Sequence, residues 1–384
     1  MLQLPPLSLY IHLPWCVAKC PYCDFNSHAL KGELPEAAYI DALLADLELD
    51  LPKVWGRTVH SVFLGGGTPS LFSGAALERL LSGVRARVGL APDAEITLEA
   101  NPGTVEHDRF EVYRQAGINR ISLGIQTFSD RHLKTLGRIH SADEAARAVE
   151  SVRAAGFDNF NLDLMWALPS QSMEDALNDI ARALTFDPPH LSHYQLTIEP
   201  NTVFAARPPE LPGEDAAWDI QEASSEQLQQ AGLQAYEISA WSRPGRESRH
   251  NLNYWRFGDY LGIGAGAHGK ITLPAEERIV RTRRKKTPHF YLAAAKDRSF
   301  MAEERSIASS DLAFEYFLNR SRLAEPVPWS EFEARTGLNR ESISTPIEEA
   351  LALGLIKVDN AHIRRTERGA RFLNDLQRLF LPEV

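Results

Sequence analysis

Between Leu7 and Thr197 the chain alternates short β-branched or apolar runs with helical patterns, and this constrains the fold more than any other feature. Such alternation is the signature of βα units around a parallel sheet. Six strands are predicted, at LSLYIHLP, HSVFLGG, EITLEA, RISLGIQ, FDNFNLDLMW and HLSHYQLTI. The stretch from Pro35 to Leu51 puts Ile40, Leu43, Leu44, Leu47 and Leu51 on one helical face. Another helix opens at Ser73 with Leu77, Leu80, Leu81, Val84 and Val88 on its face, and Ser141-Ala-Asp-Glu144 reads as a capping box. A partial (β/α)6 TIM-like barrel fits six units, although periodicity does not separate it from a doubly wound sheet. Residues 1–240 form the predicted core and 241–305 a connecting segment that returns over the sheet. AYEISAWS, at the junction of the two, is one more strand, and RPGRESRHNLNYWRFGDYLGIGAGAHG is a loop returning to the face of the sheet. Residues 306–384 change to short amphipathic helices and a hairpin near Val358–Ile363, a small winged-helix-like α+β domain.

The residues that break the apolar pattern fall at equivalent places. Cys16, Cys20 and Cys23 follow the first strand and Gly65 to Thr68 the second. Glu99 and Gln126 end the third and fourth, while Asp163 and Thr197 lie late in the fifth and sixth. In parallel α/β folds ligands sit at the carboxyl ends of the strands, so these residues should ring one site. Buried carboxylates without partners are costly. Glu99 and Asp163, with Gln126, therefore point to a ligand or to ion pairs with Arg120 or Arg138.

The three cysteines are the only ones in 384 residues, and they stand as CxxxCxxC. Three thiolates from one short loop satisfy three irons of a 4Fe-4S cube and leave the fourth iron open. A structural zinc would need a fourth ligand, with His12 or His28 nearest. An odd count in a large chain speaks against a disulfide framework. The run Gly65-Gly66-Gly67-Thr68-Pro69-Ser70 lacks the Lys-Ser/Thr of a P-loop. It reads as a tight turn or as bare backbone for holding a polar ligand beside the cluster.

The formal net charge of −10 is unsuited to a protein that chiefly binds a phosphate backbone. The C-terminal segment 301–384, with 14 acidic and 11 basic side chains, gives no reason to expect nucleic acid either. Neither a signal peptide nor a bilayer-length apolar run is present, so a cytoplasmic location is expected. Gly262 to Gly269 imitates a dinucleotide fingerprint, but KITLP follows where a helix should. The basic run Arg281 to Lys286 reads as a solvated loop, with heme propionates or an anionic membrane surface as alternative clients.

Taken together, CVAKCPYC, GGGTPS, TLEANPGT, SLGIQTF and NLDLMWALPSQ resemble, in order and spacing, radical S-adenosylmethionine (SAM) proteins of the oxygen-independent coproporphyrinogen III oxidase family. The resemblance covers nearly the whole chain. It implies that the open iron chelates the amino and carboxylate groups of SAM, and that an electron from the cluster cleaves its C–S bond to a 5'-deoxyadenosyl radical. It also implies that Tyr10, Gly66 and Glu99 contact the cluster-bound SAM. Tyr22, Gly67, Thr68, Gln126, Arg138, Asp163 and Thr197 match positions around a second SAM in the oxidases.

Two departures resemble the heme-chaperone branch of that family rather than the oxidases. Phe25 stands where the oxidase signature has a fourth cysteine, and only 15 residues precede Cys16, where the oxidases carry an extension over the substrate. His250-Asn251-Leu252-Asn253-Tyr254-Trp255 also meets that branch's HNxxYW pattern. The implied ligand is heme, handed on to apoproteins such as respiratory enzymes. An imidazole with aromatic neighbours suits heme, which makes His250 the candidate axial ligand; the alternative is a hydrogen-bonded loop histidine. A membrane surface and a second copy of the chain complete the candidate partners.

Overall fold

Period-two patterning inside parallel strands is unusual, since parallel sheets are normally apolar on both faces. Here it decides the architecture. The computed structural model describes residues 1–103 and 109–382. The six predicted strands form as β1 (Leu7–Leu13), β2 (Thr58–Gly66), β3 (Gly89–Ala100), β4 (Arg120–Gln126), β5 (Phe160–Trp166) and β6 (His190–Gln195). They lie side by side in chain order, each parallel to the next. A doubly wound sheet would reverse its order at a switch point, and no reversal occurs. The six units build the partial barrel.

One face of each strand feeds the main apolar core. Leu9, Ile11, Val62, Leu64, Leu98, Ile121, Leu123, Leu162 and Leu191 pack there against the surrounding helices. Those helices are α1 (Glu36–Asp50), α2 (Gly74–Arg85), α3 (Phe110–Gln115), α4 (Asp130–Thr135), α5 (Ala142–Ala154) and α6 (Met173–Leu184). Ile40, Leu43, Leu44 and Leu47 of α1 are buried, as their spacing requires, while Leu51 falls just past the helix and is half-buried. Ser73 caps α2 by accepting from the Ala76 amide, and the capping box of Ser141 and Glu144 opens α5.

The other face of the strands is polar and turns inward. Ser8 Oγ lies 2.8 Å from Ser61 Oγ, and Asn161 Nδ2 donates to Ser122 Oγ and to Asp163 Oδ1, each at 2.8 Å. Cross-strand bonds of this kind satisfy groups that would otherwise each cost about 1–3 kcal/mol to bury.

Beyond β6 the chain differs from its sequence-based outline. The Pro-rich excursion holds α7 (Val203–Ala206) and leads into α8 (Glu214–Gln230). AYEISAWS is not one strand but two, β7 (Gln234–Glu237) and β8 (Ala240–Ser242), which pair antiparallel across a bend at Ile238-Ser239. The supposed loop of 243–269 contains α9 (Arg249–Trp255), made of RHNLNYW, and β9 (Asp259–Ile263), which inserts parallel to β1. An antiparallel meander of β10 (His268–Leu273), β11 (Arg278–Arg284) and β12 (Met301–Ser306) continues from it. All twelve strands form one sheet, in the order β12-β11-β10-β9-β1-β2-β3-β4-β5-β6-β8-β7.

The basic run is likewise no solvated loop. Arg281 to Arg284 belong to β11, and Arg284 is fully buried, its Nε 2.6 Å from Asp46 Oδ1 and its Nη2 on Asp50. Breaking such a pair from one side leaves a buried charge, typically a cost of about 3–5 kcal/mol. A second apolar core gathers Ile307, Tyr316, Phe317, Trp329, Phe332, Ile347, Ile363 and Phe380, and draws in Leu2, Phe257 and Ile279 from earlier in the chain. Its hairpin pairs Ile356–Val358 with His362–Arg365. Among the described residues no helix is long and apolar enough to cross a membrane.

Candidate functional site at the carboxyl ends of the strands

The cysteine loop is pinned at its base. Trp15 and Cys16 pair with His28 and Ala29, and the His28 amide donates to Pro14 O at 2.7 Å. Asn26 Nδ2 reaches the carbonyls of Ala265 and Lys286, both at 2.8 Å, which fastens the loop to the meander. His12 supports it from below. Because the Asn26 carbonyl only accepts, His12 donates from Nε2 (2.9 Å), which leaves Nδ1 to accept from the Tyr10 hydroxyl at 2.9 Å. Burial lowers the His12 pKa, in keeping with a neutral ring.

The glycine run shows why both of its readings hold. Gly66 has φ +112°, and a Cβ there would enter the His12 ring; one on Gly67 would meet the Trp15 carbonyl oxygen at 2.5 Å. The bare backbone crosses the Pro14-Trp15 segment, with the Gly67 and Thr68 amides donating to Leu13 O and Trp15 O at 2.9 and 2.7 Å. Its other side faces a cavity.

That cavity, about 380 Å³, is lined by Cys16, Cys20 and Cys23 together with Tyr22, Gly66, Gly67, Thr68, Glu99, Gln126, Arg138, Asp163 and Thr197. The structure thus brings together nine of the eleven predicted binding residues. Thr197 arrives from the loop after β6, not from the strand, and its hydroxyl donates to Glu199 at 2.8 Å. Tyr10 and His250 stand apart. Tyr10 does not line the cavity; its hydroxyl donates to His12 and lies within the field of the Glu99 carboxyl. His250 lies in α9, 9% exposed, with Nδ1 3.1 Å from Ser61 Oγ and its ring packed on Phe63 at 5.1 Å. Burial pushes its pKa down to about 3. It is a buried, hydrogen-bonded histidine packed against β2.

The thiols are partly exposed and unpaired, and each sulfur meets a donor. Burial pushes the Cys16 thiol up, and the hydroxyls of Thr68 and Ser27 pull it back. Ser27 Oγ is 3.7 Å from Cys23 Sγ, and Arg138 Nη1 donates to Cys20 Sγ at 3.6 Å. Among the described residues no three His, Cys, Asp or Glu side chains converge as ligands of a single ion would. A cube with a separate iron for each thiolate suits this spread better than zinc.

Opposite the thiols the cavity wall is carboxylate. Burial, reinforced by Asp163, raises Glu99 to about 7 although the Gly66 amide donates to it at 3.0 Å. Asp163 is raised by burial too, against hydrogen bonds from Asn161, Ser192 and Ser122. Arg120 adds a charge attraction that also pulls Asp163 down, without a close salt bridge. Two desolvated carboxyls facing a cavity favour a cationic ligand, as the sulfonium and ammonium of SAM would be. Gln126 is held at φ +70°, a strained position for a residue with a side chain, and accepts from the Tyr194 hydroxyl at 2.7 Å. Tyr194, Ser27 and Asn101 were missed as site residues. Asn101 could have been found inside TLEANPGT, whose last residue, Thr104, lies outside the described residues; Tyr194 carried no signal beyond its inward register on β6.

Comparison with known proteins agrees with this geometry. The radical SAM superfamily matches residues 10–183, and the HemN C-terminal domain matches 307–372. The heme chaperone HemW of Escherichia coli is 54% identical over the full length of both chains, and that of Haemophilus influenzae 52%. The Lactococcus lactis heme chaperone HemW is 35% identical over 99% of this chain and 98% of its own. Among solved structures, the coproporphyrinogen III oxidase HemN of Escherichia coli superposes with a TM-score of 0.83 at 24% identity, covering 98% of this chain and 90% of that one, which establishes the shared fold. The chain belongs to the heme chaperone HemW family, a branch of the radical SAM superfamily.

Proposed function

We propose that this protein binds heme and transfers it to acceptor proteins, and that its barrel holds a 4Fe-4S cluster on Cys16, Cys20 and Cys23 with SAM beside it. The observation that carries the reading is full-length similarity to heme chaperones at 54% identity. When bound, the cluster supplies an open iron for the amino and carboxylate groups of SAM and an electron for its C–S bond.

The chain's own residues do the positioning. Gly66, Gly67 and Thr68 offer backbone and hydroxyl on one side of the cavity, and Glu99 and Asp163 offer carboxylates to the cationic centre. Tyr22, Gln126, Arg138 and Thr197 complete the wall, while Tyr10 acts through His12 on the seat of the cysteine loop. Phe25, 62% exposed at the mouth, offers a ring where the oxidases have a cysteine, and a flat porphyrin is the ligand such a ring suits. His250 is assigned to the buried floor beneath the cavity, in place of the axial-ligand role.

Residues 1–240 serve as the SAM-binding core, 241–305 as the segment that closes it and 306–384 as the accessory domain. Acceptors include respiratory enzymes. The setting is cytoplasmic, with contact to an anionic membrane surface through the exposed Arg283 and Lys286, and with a second copy as a further partner.

The alternative, oxidative decarboxylation of coproporphyrinogen III, rests on the fold shared with HemN. Anaerobic incubation of the cluster-loaded protein with reductant, SAM and coproporphyrinogen III separates the two. No protoporphyrinogen is expected; its formation over many turnovers would establish an oxidase.

A further inference from the structure

Arg138 is delivered to the cluster loop by a turn built for the purpose. Helix α4 ends in a Schellman motif: the Gly137 amide donates to Lys134 O at 3.1 Å and the Arg138 amide to Leu133 O at 2.9 Å, with Gly137 at φ +65°. A Cβ on Gly137 would meet Pro21 Cδ at 2.7 Å, so only glycine lets this turn close on the cysteine loop. The guanidinium is then clamped. Its Nη2 donates to Asn101 Oδ1 at 2.6 Å and to Gly124 O at 2.8 Å, and its Nη1 to Cys20 Sγ at 3.6 Å. Gly124 leaves room for the clamp, since a Cβ there would stand 3.0 Å from Asn101 Oδ1 and from Gln126 Nε2.

The donors on the three sulfurs differ in one respect. Cys16 and Cys23 are met by the neutral hydroxyls of Thr68 and Ser27, whereas Cys20 is met by a cation in addition to the neutral hydroxyl of Tyr22. Lys19, the other cation of the loop, spends its ammonium on the carbonyls of Phe25 and Ser27.

Hydrogen bonds and charge at the sulfurs are what set the potential of an iron–sulfur cluster. Adding one electron makes the cluster more negative, and a neighbouring cation stabilises that state. We propose that Arg138 is a positioning residue for electron transfer: by its charge and its bond to Cys20 Sγ it raises the reduction potential of the cluster. Nη1 and Nη2 are held by protein partners while the buried Nε has none, so the cluster role stands beside any contact with a second SAM. The proposal rests on the cluster reading given above.

The test is a one-electron redox titration of the reconstituted protein without SAM, using dithionite and mediators and following the reduced cluster by electron paramagnetic resonance. Iron content is measured in the same samples. Arg138→Met should lower the ratio of reduced to oxidised cluster at a fixed potential by about tenfold, which corresponds to a midpoint about 59 mV more negative for one electron. Arg138→Lys, which keeps charge but loses the planar fork, should fall between Met and wild type. Asn101→Ala, which removes one clamp, should also move the midpoint negative. An unchanged midpoint in Arg138→Met at four irons per chain would overturn the proposal, most clearly if SAM stoichiometry fell instead. Should the Met variant lose its iron, unchanged midpoints in both the Lys and the Ala variants would overturn it. Wild type without four irons would refute the cluster itself, a separate outcome.

Discussion

The two ends of the barrel interior are built from the same kinds of residue and do opposite things. Toward the carboxyl ends of β1 to β6, the polar groups face a cavity: three half-exposed thiols, a carboxyl raised to about 7 and a strained Gln126. Deeper in the barrel, α9 closes the interior and the polar groups face one another. There His250 meets Ser61 and its amide meets Glu95, Asn253 Nδ2 donates to Ser8 Oγ at 2.8 Å, and His190 spans Asn161 and the Tyr236 hydroxyl at 2.6 and 2.9 Å. Both ends carry family motifs. The difference teaches that a motif marks a constraint, and that its surroundings decide whether the constraint is chemistry or closure.

If that contrast is right, the upper end can be emptied without unfolding the protein and the lower end cannot. The largest effect is expected from Cys20→Ser: after anaerobic reconstitution the brown colour and bound iron should vanish, while far-ultraviolet circular dichroism and the melting temperature of the apoprotein stay as in wild type. His250→Ala should do the reverse. Loss of the ring and of a partner for Ser61 should cost about 2–4 kcal/mol in urea denaturation, with iron content unchanged. A stable His250→Ala protein with weakened hemin binding would instead make His250 a heme ligand.

The smallest effect is a pair of pH dependences of opposite sign in the apoprotein. Glu99 has a folded pKa raised to about 7, so its contribution is present in acid and lost as pH rises from the ordinary carboxylate range through 7. His250 is depressed to about 3, so its contribution is present above the ordinary histidine pKa near 6.5 and lost as pH falls. Urea midpoints between pH 5 and 8 should therefore fall less steeply toward alkali in Glu99→Gln and less steeply toward acid in His250→Phe. The remaining slopes come from the other raised carboxyls, such as Asp46 and Asp179, and the other lowered histidines, such as His193 and His140. Parallel profiles in both variants would blur the contrast between the two ends.

Much of this was legible because local physics carried it. The cysteine spacing, the capping box at Ser141 and the six strands with polar residues late in each need only short windows of chain. What escaped needed distance. Arg284 reads as one more charge in RTRRKK, and its partners Asp46 and Asp50 lie on α1, 238 and 234 residues away. Strand β9 hid in GDYLGIGAG because so many glycines read as loop; Gly264 is glycine since a Cβ would collide with His12 O, a neighbour visible only once β9 lies beside β1. His250 reads as a loop residue because its helix is only seven residues long, and its contacts with Ser61 and Phe63 lie 189 and 187 positions back along the chain.

The central claim, that this barrel serves a heme carrier, is met most directly by a transfer experiment. Purified, cluster-loaded protein is charged with one equivalent of hemin, separated from free heme and mixed with a heme-free acceptor enzyme, and the Soret band and the recovered acceptor activity are followed. The account predicts a shift of the Soret band to the acceptor with activity restored in proportion to the heme supplied. A protein that takes up no heme, or holds it without release to any acceptor, would contradict it.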